Sequence, residues 1–333
     1  MNEDILKKRW KDVDKLLSAF YTKNNKINKR FKNNIQMILN VASFIKYEDL
    51  YNYADKHNVE ILKSKIEELK EEYVVSGYIN YKLGLYLNKK KIKNNELLVA
   101  LFMIEYYKQN YDRKPLEDEL FEEISNLVYV EAQKETAEVL KKKKPRLLTV
   151  PEAFLLELIG MSAFNEMPWE DYKEGNIIYN SNQLFKTTAV NIQVGKELNV
   201  NSDNFKKLFE SQDRNYLAKK KNIPDTDGYF DEYYGPLDSV VCYIANQSAL
   251  AGMKKQGCEK VQFVATVDEK TTDMCSSLNG QVFNIYEWNT YDRYSAIDKK
   301  NIIYRTKGLK IGENLPPINN HIHHCRSTIY PVR

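Results

Sequence analysis

The chain has 333 residues, with Lys+Arg 50 against Asp+Glu 46, and its net charge of +4 demands no polyanionic partner. Hydrophobic residues at 43% supply ordinary cores and exclude wholesale disorder, while 12 glycines and 9 prolines exclude collagen-like or low-complexity chains. The longest apolar stretch, residues 147–164, is broken by Pro151, Glu152 and Glu157, so no transmembrane helix is expected there.

The opening residues Met1, Asn2, Glu3 and Asp4 lack the basic-then-apolar pattern of an exported chain, and a cytosolic setting is expected. Four cysteines in so long a chain do not form a disulfide framework; in a reducing compartment they are core residues, metal ligands or nucleophiles. An AT-rich genome would by codon bias alone produce a chain this rich in Lys, Asn, Ile and Tyr, so lysine content by itself says little about nucleic acid.

From Asp4 to about Lys143 the apolar residues recur three and four apart, the period of helices. Ile5, Trp10, Val13, Leu16, Leu17 and Phe20 form one stripe, and Phe31, Ile35, Ile38, Leu39, Val41 and Ile45 roughly form a second. Proline is absent before Pro115, and the only glycines in this region are Gly77 and Gly84. One helix is predicted over 94–107 and another from Leu116 to Leu140, closed by Lys141, Lys142, Lys143 and Lys144 with Pro145 as its stop. Further helices are predicted over 151–160, 182–198 and 202–209, followed by Lys219, Lys220, Lys221 and a loop at 224–228.

Past that loop the pattern changes. A helix over 237–255 stops at Gly257, and a β-branched strand follows at 260–267. Asp268 is placed to cap a short helix over 269–277, Asn279-Gly280 turns the chain into a strand at 281–283, and a β-prone run occupies 327–330. The expected fold is α-dominant: a long helical N-terminal region followed by a small α+β C-terminal domain. Its parts are a helical domain at 1–145, a helical middle region and loop at 146–236, and the α+β domain at 237–333.

Three of the four histidines, His321, His323 and His324, directly precede Cys325. With Cys275 they have the ligand chemistry of a tetrahedral structural zinc, although no C-x-x-C pair is present. The reading preferred over metal is a small buried thiol with histidines lining an exposed loop or contact surface. A Cys–His nucleophilic pair is a third reading, and Asp268, lying between a strand and a helical turn, suits an N-cap better than a catalytic carboxylate. No phosphate-binding glycine loop, G-x-S-x-G elbow or H-E-x-x-H helix occurs, so no enzyme activity is expected.

Residues 263–271, with Ala265-Thr266-Val267-Asp268 and Thr271, then Cys275, then Leu278-Asn279-Gly280, and finally Pro316-Pro317 with His324-Cys325-Arg326, resemble the Mu F-like minor head proteins of tailed bacteriophages. The resemblance covers about 239–331. Thr272 stands where many relatives carry another Cys, and Ile322 where they commonly carry His. Asp268, Thr271, Cys275, Gly280, Pro317, Cys325 and Arg326 would be structural motif residues of a Mu F-like head-morphogenesis domain. The resemblance implies a minor capsid protein of a phage or prophage, associated with portal, major capsid or scaffold proteins. It would be found in the host cytoplasm during assembly and then in the virion head.

Some relatives are packaged with double-stranded DNA, and the runs at Lys89–Lys91, Lys141–Lys144 and Lys219–Lys221 are candidate phosphate contacts, each equally readable as a solvated helix end or loop. No membrane partner is expected. The competing reading is a metal-dependent hydrolase or nuclease built on Asp268, Cys275 and the His–Cys325 cluster. A host DNA-binding module is a third, against which the lack of a helix-turn-helix or finger motif speaks.

Overall fold

The computed structural model describes residues 2–75, 77–161, 163–164, 167–211, 236–265, 273–295, 298–310 and 327–333. The fold is α-dominant, with long N-terminal helices and a small α+β C-terminal region. Its residues cluster into two compact units: Met1–Phe20 with Asp118–Trp169 and Ile223–Arg333, and Tyr21–Glu117 with Glu170–Asn222. No helix among the described residues is long and apolar enough to cross a membrane.

The all-helical unit draws on α1 (Asn2–Ala42), α2 (Lys56–Glu72), α3 (Gly77–Leu87), α4 (Asn94–Val139), α6 (Trp169–Gln193) and α7 (Asp203–Ser211); α5 (Glu152–Met161) belongs to the other unit. Phe31, Ile35 and Leu39 of α1 join Leu62, Ile66 and Leu69 of α2, Ile79 and Leu83 of α3, and Phe102 of α4 in one core. Each such side chain contributes about 1.5–3 kcal/mol by leaving water. Val41 stays outside the core, because two residues beyond Leu39 is more than half a helical turn round the axis. Asp55 starts α2 by accepting from the Asn58 amide at 2.8 Å.

Several expected boundaries moved, among them the end of the helix predicted over 182–198, which lies at Gln193. The predicted helices at 94–107 and from Leu116 are one continuous α4 with Pro115 inside it. Proline leaves one carbonyl without its intrahelical donor, but ion pairs gather around the site: Arg113 Nε lies 2.8 Å from Glu117 Oε1, and Lys173 Nζ lies 3.0 Å from Glu117 Oε2. Helix α6 begins at Trp169 and not near Asn182, and within it Ser181, Asn182 and Thr188 donate back to the carbonyls of Ile177, Ile178 and Leu184 at 2.6–2.8 Å. Polar side chains that suggest caps are thereby accommodated mid-helix.

The α+β unit is built around α8 (Pro236–Lys255), which is buried all round from Val240 to Met253. Trp10, Val13, Leu17 and Phe20 of α1 and Phe121, Ile124, Val128 and Ala132 of α4 are also buried in this unit. Small residues let α4 and α8 approach closely: Ser125 and Ser248 share a hydrogen bond at 2.8 Å, and Gly252 lies against the Tyr129 carbonyl and the Ala132 side chain. Two short strands, β1 (Ala163–Phe164) and β2 (Met167–Pro168), pair antiparallel beside α5 in the chain. The remaining elements are β3 (Lys260–Val264), α9 (Asp273–Leu278), β4 (Val282–Asn284), β5 (Trp288–Ser295), β6 (Lys300–Lys307) and β7 (Thr328–Val332).

Candidate functional site

The motif-bearing region is organised by a three-stranded antiparallel sheet in the order β4-β3-β7. Alternation in β3 points Val261 and Phe263 into the core, and both are fully buried. On one side Lys260, Val261 and Gln262 pair with Asn284, Phe283 and Val282; on the other the register runs from Lys260 opposite Val332 to Val264 opposite Thr328. The expected closing strand at 327–330 is therefore β7, which pairs along all of β3.

Helix α9 feeds the predicted Asn279-Gly280 turn. Gly280 has φ +84, a conformation that disfavours a Cβ, and its amide donates to the Phe263 carbonyl at 2.8 Å. The Asn279 side chain accepts from the Ala265 amide at 2.9 Å, and Gln262 Nε2 donates to the Gly280 carbonyl at 3.0 Å. The turn is thus stitched to the end of β3 by both main chain and side chains.

Because Val264 faces Thr328, the chain leaves β3 and enters β7 at one end of the sheet. Asp268, Thr271, Pro317, His321, His323, His324, Cys325 and Arg326 lie outside the described residues, as do Lys219, Lys220 and Lys221. Of the candidate ligands, Cys275 is described; it is buried in α9. Among the described residues no group of three His, Cys, Asp or Glu side chains is placed to hold a metal ion. Cys258 is also buried; burial pushes its thiol up, and Sγ donates to the Lys260 carbonyl at 3.0 Å. A raised thiol is a poor nucleophile near neutral pH.

The lysine run after α4 divides into roles. The helix ends at Val139, ahead of Pro145, because Lys141 takes φ +55 and a Schellman cap forms: the Lys142 amide donates to the Ala137 carbonyl at 2.9 Å and the Lys141 amide to that of Glu138 at 3.0 Å. The Lys142 ammonium donates to the Gln256 carbonyl at 2.5 Å, beside Gln133 and Gln256 side chains that hold the Arg146 and Leu148 backbone. Lys143 and Lys144 face solvent. In the first run, Lys89 is engaged by Glu96 at 2.8 Å and Lys91 lies over the Tyr53 ring.

Sequence reasoning missed the β5–β6 hairpin, although both strands are rich in β-branched and aromatic residues. Tyr291 packs on Phe283 with ring centroids 5.1 Å apart, so one face of the hairpin covers the sheet core. The register sets Trp288, Lys307 and Ile303 on the other, exposed face. Gly308 closes the hairpin at φ +63, where a Cβ would meet the Ile285 carbonyl at 2.7 Å.

A shallow groove lies between α1 and α4 within the same unit, lined by Asp12, Glu119, Glu122 and Glu123 with Lys15. Its acidic lining is unsuited to phosphate. No family model, curated protein or solved structure matches the chain.

Proposed function

We propose that this chain is a minor head-morphogenesis protein of a tailed phage or prophage. It is a structural assembly component that associates with portal or procapsid and is not an enzyme. The observation that supports this most is the order of the C-terminal elements. A strand ending at Val264 just before Ala265, a short helix with Cys275, an Asn279-Gly280 turn and a closing strand after Cys325-Arg326 come in the order that the Mu F-like resemblance implies, and the first and last of these strands pair along their whole length.

In this reading the buried α8 and the sheet form the body of the module, and Lys143 and Lys144 contact packaged DNA through phosphates without sequence preference. Mass spectrometry of purified procapsids and finished particles tests the proposal. The protein is expected at low copy, localised to the portal vertex. Its absence from both preparations would overturn the assignment.

A further inference from the structure

Helix α3 is apolar on two faces. Ile79 and Leu83 are fully buried in the helical core, yet Tyr78, Tyr81 and Leu85 on another face are 50%, 62% and 43% exposed. Positions 78, 81 and 85 follow the i, i+3, i+7 spacing, which sets them in one stripe about 60° wide. A helix apolar on more than its core-facing side is ordinarily covered, and an exposed helical stripe of this spacing is the footprint of helix-on-helix docking.

The charge within α3 and the segment after it has one sign, although α2 alongside carries Glu67 and Glu71 near Lys70. Residues 77–93 hold Lys82, Lys89, Lys90, Lys91 and Lys93 and no Asp or Glu. Lys82 flanks the stripe with its ammonium 5.3 Å from the Tyr78 ring, and on the other flank the Lys70 ammonium of α2 is the nearest group to Gly84, 4.0 Å from where a Cβ would stand. An apolar strip between two ammonium groups complements a helix whose own apolar strip runs between carboxylates.

We propose that this face of α3 docks an acidic amphipathic helix of a partner protein. A second copy of the same face is disfavoured, because pairing α3 with itself sets lysines against lysines. Nucleic acid fits less well, since an exposed Leu85 gains nothing from phosphates or stacked bases. The inference goes beyond the assembly reading and stands independently of it.

The test uses the full chain and fluorescence anisotropy at about 0.15 M salt. The probe is a synthetic helix with leucines at i, i+3 and i+7 flanked by glutamates, compared with a scrambled peptide of identical composition. The ordered peptide is expected to bind at least about tenfold more tightly than the scrambled one. Tyr81→Asp combined with Leu85→Asp should abolish that preference with the melting curve unchanged, because both side chains are exposed, and Lys82→Glu, at a partly exposed position, should weaken binding several-fold. Should the double variant fail to fold, Lys82→Glu alone decides. Failure of the ordered peptide to bind, equal binding of the scrambled peptide, or tighter variant-sensitive binding of a single-stranded oligonucleotide or of anionic lipid vesicles would each overturn the proposal.

Discussion

The Arg9 guanidinium of α1 donates to the Glu135 carboxylate of α4 with its side chain only 1% exposed. Its other terminal nitrogen donates to Thr328 of β7 at 3.4 Å, so one cation links the start of the chain to α4 and the closing strand. Arg9→Met should destabilise the α+β unit by about 3–5 kcal/mol, since it leaves Glu135 buried without its counter-charge. Arg9→Met together with Glu135→Leu should recover most of that loss. Urea unfolding of the four members of the cycle measures it.

Burial raises the Glu131 and Glu135 carboxyls above the usual range, against the opposing pull of Arg9. Their folded values therefore lie above the unfolded value of about 4.3, and the folded chain keeps these protons after the unfolded chain has lost them. The contribution to stability is largest below the unfolded value and declines as pH rises through the folded one. Glu131→Gln, which removes a carboxyl 3.9 Å from Arg9 Nε, should raise stability relative to the parent at about pH 7 and leave it unchanged at about pH 3. Parallel melts at the two pH values check the sign.

Gly252 and Gly257 separate close packing from backbone conformation. A Cβ at Gly252 would collide with the Tyr129 carbonyl and meet Ala132 Cβ at 3.1 Å, whereas Gly257, at φ +74, has nothing within 4 Å. Gly252→Ala should cost about 1–3 kcal/mol by forcing α8 from α4. Gly257→Ala should cost about 1 kcal/mol, for the left-handed conformation alone.

The lysines after α4 should respond differently to substitution. Lys141→Gly relieves a positive φ at the helix cap and should raise stability by up to about 1 kcal/mol. Lys142→Met removes the bond to Gln256 and should lower stability. Lys143→Glu with Lys144→Glu should leave melting unchanged, weaken binding to random-sequence duplex DNA and reduce the magnitude of the salt slope by about 0.9 per lost phosphate contact. Filter binding across a salt series measures the last effect.

Local pattern made much of this protein readable in advance. The helical period of Trp10, Val13, Leu17 and Phe20, the β-branched run at 260–264 and the Asn279-Gly280 turn are each written in neighbouring residues, because 3.6- and 2-residue periods and positive-φ turns depend on local geometry. Pro115 and Asn182 misled for the same reason. A proline or an amide signals a boundary locally, but ion pairs at Glu117 and back-bonds to helix carbonyls are settled by surroundings that a short window does not contain.

The amino-acid sequence by itself determined an α-dominant chain with a small α+β end and its principal glycine turn. Only the tertiary structure decided that Arg9 and Thr328, 319 positions apart, share a buried hydrogen bond. It also decided that Lys142 serves a helix end while Lys143 stays in water, and that Tyr81 and Leu85 remain exposed on a helix whose Ile79 and Leu83 are buried. The physical reason is that burial and pairing are properties of where chain segments meet, and two lysines or two leucines identical in sequence acquire different roles only when those meetings are made.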